Sequence, residues 1–511
     1  MDCSEEKLGE KRLIKKRELV RLIIQSLYSL GYRKSGECLE SESGISCKSA
    51  EFGALESKVV DANWDGCFEL INGLEGLADE QRASAVVLVL QQCLLECLKN
   101  GDDSAALKLL RKQIARLKVG KENVSRLAYE LISPKESGTG LVSNMREKLV
   151  TELENVLPPP ITLPPRRLER LVEMAISSQI DSCIYHSISS VSLYEDHHCD
   201  HAQFPTRTSQ ILSNHGNEVW YVQFSNNGEY LASSSSDCSA IIWKVPCDDS
   251  EVTKKHALLG HTKPVSSVSW SPDDTMLLTC GNMEVVKLWD VETGTFKRTF
   301  GDDDIIVNSC AWFPNSKRIV CGSSDPENGI YMWDCEGNEI KVWKGMRMPK
   351  VLDLAVTPDG ENLISVFADK EIRILNVGTN SERIIAEEHP ITSLSVSGDG
   401  KFFIVNLNSQ AIHMWDVAGE WVTPTKYEGH KQHQYVIRSC FGGLNSSFIA
   451  SGSEDSMVYI WNRKNSKPIE ILSGHSKTVN CVSWNPRRHQ MLASASDDQT
   501  IRIWGPSTST S

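Results

Sequence analysis

Within about thirty residues near the end of the chain stand His475, Ser494, Ser496, Asp498 and Trp504. A histidine, a hydroxyl and a carboxylate are the parts of a hydrolase triad, in which the imidazole takes the nucleophile's proton and the carboxylate orients the imidazole. The same parts can instead form a buried hydrogen-bonded chain that pins a turn to its strands. Recurrence separates the two readings. His215, Asp237 and Trp243 repeat the pattern, as do His430, Asp455 and Trp461, each aspartate six residues ahead of its tryptophan. A catalytic centre has no reason to recur at the spacing of a structural repeat, so these nine residues are expected to be structural networks. Ser494 or Ser496 supplies the hydroxyl in the last one. Removing a member of such a chain costs about 1–3 kcal/mol.

A second cluster suggests metal chemistry. EDHHCDH, residues 195–201, packs His197, His198, Cys199, Asp200 and His201 together. Ligands so close in sequence seldom surround a tetrahedral ion unaided, and structural zinc sites draw pairs from two places in the chain. The expectation is an exposed loop with no metal and no cofactor. GxxxxGK[ST] and GxSxG do not occur, so no phosphate cradle or nucleophile elbow is expected, and the chain reads as no enzyme.

The elements that hold these residues repeat. AIIWK, VVKLWD, GIYMWD, EIRILN, AIHMWD, MVYIWN and TIRIW end in the anchors Trp243, Trp289, Trp333, Leu375, Trp415, Trp461 and Trp504, which lie 40 to 46 residues apart. That is the period of a four-stranded propeller blade, and strands apolar on both faces suit blades sandwiched between neighbours. Seven anchors predict an all-β seven-bladed propeller over 208–506. The last blade lacks an outer strand of its own, and TSQIL (208–212) is expected to supply it by pairing with 500–504, leaving no bare edge. Repeat two keeps His261 and Trp289 but has Met283 where the aspartate should stand. Repeats three to five lack the Gly-His pair and are expected to be held more by packing than by polar networks.

Upstream the period becomes helical. Leu19, Ile23, Leu27 and Leu30 form one apolar stripe ended by Gly31. Further helices carry Cys38 and Leu39, then Phe52, Leu55 and Val59. An ANWDG turn (62–66), an almost wholly apolar helix at 79–99, and three amphipathic helices beginning near Asp102, Lys121 and Ser143 complete an all-α module. LPPPITLPPRR (157–167) cannot continue a helix and reads as a stiff joint. The divisions are 12–48, 49–156, a proline-rich joint with helix and loop at 157–207, and the propeller.

Composition narrows the partners. A chain of 511 residues with 40% hydrophobic and 24% charged residues is an ordinary multidomain globular protein. A net charge of −13 argues against nucleic acid and anionic membranes, because phosphate binding rests on surplus Lys and Arg. The N-terminus lacks a signal-peptide core, and the apolar run Ala85–Leu90 is far short of the roughly 20 residues a bilayer requires. Sixteen irregularly spaced cysteines read as reduced thiols, placing the protein in the cytoplasm or nucleus. The basic run Lys11, Arg12, Lys15, Lys16, Arg17 reads as a solvated helix start, with a nuclear signal as the alternative.

The order of parts resembles a known family. LVRLIIQSLYSLGYRKSGECLESESG resembles a LisH motif, EFGALESKVVDANWDGCFELI the start of a CTLH domain, and GDDSAALKLLRKQIARL the following CRA region. Together with SGSEDSMVYIW, SGHSKTVNCVSWNP and ASASDDQTIRIWGP, they are similar to the WD-repeat propeller subunit of the CTLH (GID) E3 ubiquitin ligase family. The resemblance covers about 15–506. It implies a non-catalytic scaffold that forms homodimers or higher assemblies through its helices, with the stripe Leu19, Ile23, Leu27 and Leu30 as the self-association surface. It also implies contact with RanBPM-type and RING subunits, and recruitment of protein substrates or regulators by the propeller. A cullin-ligase receptor is weakened because Trp289-Asp290-Val291-Glu292, Trp333-Asp334-Cys335-Glu336 and Trp415-Asp416-Val417-Ala418 lack the arginine of a W-D-x-R box. A signalling scaffold for G-protein or stress and hormone pathways remains the other reading.

Overall fold

The structure, a computed structural model, describes residues 7–9, 11–74, 77–99, 142–158, 161–186, 191–248, 250–281, 284–301, 307–323, 329–343 and 349–507. The chain forms two compact units, Met1–Ser178 and Gln179–Ser511.

The described helices of the first unit are α1 (Lys16–Ser29), α2 (Arg33–Ser43), α3 (Ala50–Val60), α4 (Trp64–Gly73), α5 (Asp79–Lys99), α6 (Val142–Val156) and most of α7 (Arg167–Ser182). α1 stops where Leu30 caps it and Gly31 takes a positive φ of 89°, and α2 ends on left-handed Gly44. Gly36 lets the two helices close up, because a Cβ there would stand 2.6 Å from the Tyr28 ring. Asn63 caps α4 by accepting a hydrogen bond from Gly66 N at 3.1 Å, so Trp64–Gly66, expected as turn, already belong to a helix. The core joins Phe52, Leu55 and Val59 of α3, Phe68 and Ile71 of α4, Val86, Val89 and Leu90 of α5, and Leu149 and Leu153 of α6.

Leu157 and Ile161 enter the same core. The proline-rich segment therefore begins as part of the helical unit and not as a free spacer. α1 grips it from its polar side: Arg21 donates to Ile161 O at 3.2 Å, and Gln25 Nε2 to Leu163 O and Pro164 O at 3.1 and 3.0 Å. The helices expected near Asp102 and Lys121 lie outside the described residues.

The second unit is a ring of seven four-stranded antiparallel sheets. Blades one to six run in sequence order, from Val219–Phe224 at the inner edge of blade one to Pro468–Ser473 at the outer edge of blade six. Blade seven takes Val479–Trp484, Leu492–Ser496 and Ile501–Gly505 from the end of the chain and Arg207–Leu212 from before blade one. Thr208 pairs with Trp504, Gln210 with Ile503, and Leu212 with Ile501. The closing strand sits where the repeat pattern placed it. In blade one the second and third strands are almost wholly buried, whereas the outer strand Thr253–Leu259 is largely exposed.

Candidate functional site

Three places concentrate polar or unpartnered chemistry: the turns at one end of the ring, the stripe on α1, and the segment leading into the closing strand.

Antiparallel strands put the turns between first and second strands, and between third and fourth, at one end of the ring. The remaining turns, among them the Gly-His pairs, lie at the other. In blade seven a continuous chain runs from Trp504 Nε1, which donates to Ser494 Oγ at 2.8 Å, through His475 Nε2 at 2.8 Å from that hydroxyl, to His475 Nδ1 at 2.8 Å from Asp498 Oδ2. Ser494 is the hydroxyl; Ser496 instead accepts from Asp498 N. Burial alone would raise the Asp498 carboxyl, but hydrogen bonds from His475 and Thr500 hold it well below the carboxylate range. Blade one repeats the chain with Trp243, Ser233, His215 and Asp237. All of these atoms are committed to one another, and each serine accepts the indole N–H, so neither is an activated nucleophile.

Blade six departs from the expected network. Neither ring nitrogen of buried His430 makes a hydrogen bond to another described residue. Trp461 Nε1 donates to Glu428 O at 3.1 Å, and Asp455 is taken by the Tyr459 hydroxyl at 2.9 Å. The tyrosine, two residues before the tryptophan, is long enough to claim the carboxylate. His430 stays as a ring packed edge-on to Trp461, 5.7 Å between centroids, and burial pushes its pKa down to about 4.

Blades two and five carry networks that the sequence reading missed. In blade two Glu284 accepts from His261 Nδ1 at 2.8 Å, and Thr279 bridges His261 Nε2 and Trp289 Nε1 at 2.7 and 2.8 Å. Burial disfavours the Glu284 charge, yet the bond from His261 brings its pKa to about 2. Met283 lies outside the described residues. In blade five Glu387 accepts from both His413 Nδ1 and Trp415 Nε1 at 2.8 Å. Blades three to five are also stitched at the inner rim, where Asp353 accepts from Ser309 Oγ at 2.6 Å and from Leu394 N at 3.0 Å. The expectation that this sector is held more by packing than by polar networks thus has an exception in blade five, where Glu387, placed off the repeat pattern, takes the role of the Gly-His chain.

On the Gly-His end, the loop before blade six is fixed by Glu454. One of its oxygens accepts from the backbone N–H groups of His433, Gln434 and Tyr435 at 2.7, 2.8 and 3.1 Å. The loop presents Tyr435 and Val436 to solvent. At the opposite end, Arg383, Lys401, Phe402 and Trp421 line a groove between blades four and five.

On α1, Leu19 and Leu27 are half-buried, Ile23 is 36% exposed and Leu30, the cap residue, 62%. None of the four enters the helical core cluster, and the residue that α1 does bury is Ile24.

Ahead of the closing strand, the 195–201 cluster is divided. His198 is exposed, Asp200 accepts from Ala202 N, and His201 lies 2.7 Å from Glu470. His197 and Cys199 instead turn toward Cys183 and His186, a second pair that the sequence reading did not connect with them.

The family described as the WDR26 Lis-homology domain matches residues 5–49. The WD domain, G-beta repeat, matches 206–244, 252–290, 294–334, 421–462 and 466–505, which fall on blades one, two, three, six and seven. Among known proteins the chain is 61% identical to an Arabidopsis thaliana WD repeat-containing protein WDS homolog, over 98% of this chain and 97% of that protein. It is 45% identical to a WD repeat-containing protein 26 homolog of the same plant, over 98% and 86%. It is 32% identical to GID complex subunit 7 of Schizosaccharomyces pombe, over 95% and 96%.

Proposed function

This chain belongs to the family of WD repeat-containing protein 26, and from that premise we propose that it is a non-catalytic scaffold subunit of a GID/CTLH-type E3 ubiquitin ligase. The observation that carries the reading is the near end-to-end relationship with GID complex subunit 7, which spans the helical unit as well as the ring. A relative that shared only the propeller would speak for the fold alone.

The α1 stripe is the self-association surface. A helix of 14 residues does not hold its fold without burying its apolar face, and here Ile23 and Leu30 stay exposed while the polar face is bound to the proline segment. The equivalent helix of a second copy gives a two-fold interface in which the stripe meets itself. The propeller recruits substrates or regulators, and RanBPM-type and RING subunits complete the ligase, working in the cytoplasm or nucleus.

The test is affinity purification of the tagged full chain from its own cells. Copurification of RING and RanBPM-type subunits is expected. Recovery of a cullin adaptor, or of G-protein components without any RING subunit, refutes the assignment.

A further inference from the structure

Cys183, His186, His197 and Cys199 bring one potential ligand atom each into a group whose members all lie within 4.8 Å of one another. His186 Nδ1 is 2.8 Å from His197 Nε2, and Cys199 Sγ is 3.3 Å from His197 Nε2 and 3.8 Å from His186 Nδ1. With metal–nitrogen bonds of about 2.0–2.1 Å and metal–sulfur bonds of about 2.3 Å, the edges of a tetrahedral zinc site run from about 3.3 to 3.8 Å. The observed separations scatter around those edges. A hydrogen bond between the two imidazoles would account for the nitrogens. It gives no reason for two thiols to turn to the same point.

The backbone prepares this convergence. Cys183 and His186 sit on the turn that follows α7, and His197 and Cys199 are two apart on the irregular segment ahead of the closing strand, both turned to the same group. Both segments are tied down. His197 N donates to Gln179 Oε1 at 3.1 Å, and Gln179 Nε2 donates to Asp196 at 2.7 Å. On the other side, Asn462 of blade six donates to Ile184 O at 3.0 Å, and the Tyr185 ring packs edge-on to Phe204. His186 is 8% exposed and Cys199 4%, so the group is sheltered from water.

We propose that these four residues hold one zinc ion. Two thiolates with two imidazoles is the donor set that tetrahedral zinc takes, and carboxylate-preferring cations are poorly matched to it. Protein atoms fill all four positions, which makes the site structural: no position is left for water or substrate. Its role follows from its place. Phe204, five residues beyond Cys199, packs edge-on to both Phe448 of blade six and Trp484 of blade seven, which stack on each other, and Arg207 begins the closing strand three residues later. The ion staples the stretch that delivers this strand.

The test uses the full chain, purified reduced and without a polyhistidine tag. Elemental analysis should find one zinc per chain, absent from Cys199→Ser and His186→Ala and retained by Cys335→Ser. Exchange of cobalt into the wild-type protein should give the thiolate charge-transfer band and the intense visible band of tetrahedral cobalt, a readout that needs no variant to fold. Cys183 and Cys199 should resist alkylation until a strong chelator is added. Wild-type protein without zinc that also fails to take up cobalt overturns the proposal. So does zinc retained by Cys199→Ser, or a Cys183–Cys199 disulfide mapped by mass spectrometry under the same conditions.

Discussion

His430 and His475 occupy the same position in adjacent blades, yet replacing each by leucine should have very unequal consequences. His475 links Asp498 to Ser494, and its loss strands a serine hydroxyl and one face of a carboxylate whose side chain is 9% exposed. At roughly 1–3 kcal/mol for each stranded group, His475→Leu should lose about 2–4 kcal/mol, or roughly 3–6 °C in melting temperature for a ring of this size. His430 makes no bond to Asp455 or to a serine of its blade, so its replacement by an apolar side chain of similar bulk should cost no more than about 1 kcal/mol at pH 7. The pH dependence sharpens the contrast. Burial lowers the His430 pKa to about 4, whereas the unfolded chain takes the proton near 6.5. A depressed histidine pKa means that the unfolded state binds more protons below pH 6.5, so stability is lost as pH falls from 6.5 toward 4. Between pH 7 and pH 5 the linkage amounts to about 2 kcal/mol, and His430→Leu should be spared it. Urea unfolding followed by tryptophan fluorescence at the two pH values measures both quantities. Equal losses for the two variants at pH 7, or an unchanged pH dependence in His430→Leu, would refute the reasoning.

Replacing Ile23 and Leu27 together by Asp should halve the particle in sedimentation while circular dichroism retains its helicity; a double variant that still dimerises rules out the stripe as the interface. Glu387→Ala leaves the N–H groups of His413 and Trp415 without acceptors, and should cost about 2–4 kcal/mol in chemical denaturation. A loss below 1 kcal/mol would show that packing alone holds blade five. Gln210→Pro removes an N–H from the closing strand opposite Ile503 and should shift the melting temperature downward and promote aggregation. An unchanged melt would mean that this strand does not seal the ring.

The seven anchors were readable because each repeat must bury one large side chain at the same place, and the period survives even where Leu375 replaces tryptophan. The closing strand was readable for a similar reason: counting strands left blade seven one short. What stayed hidden were carboxylates that do their neighbour's work from another address. Glu284 lies five residues before Trp289 instead of six, and Glu387 sits in the connection between blades four and five, so neither fits a pattern built on one spacing. His430 misled for the converse reason: the pattern was intact, but Tyr459 had captured its aspartate. The 195–201 cluster was visible, but Cys183 and His186 were not connected with it, and only folding shows that they face His197 and Cys199, because sequence spacing carries no record of which turn closes on which. The α1 stripe was legible as an apolar face; that it lies outside the helical core depends on how α3 to α6 close on one another without it.

The closing strand sets a timetable on the ribosome. Ser209 must wait for Ile503, 294 positions further along, before its hydroxyl finds its acceptor. At about 5–20 residues per second, that is a delay of roughly 15–60 s during which a strand with β-forming side chains and unpaired amides is already outside the exit tunnel. The helical unit, made first from local contacts, can fold during this interval, whereas the ring cannot be sealed until the last blade emerges. Nascent chains halted inside blade seven should therefore engage chaperones even with six blades already synthesised, and a premature stop there would leave an adhesive edge on an otherwise finished molecule.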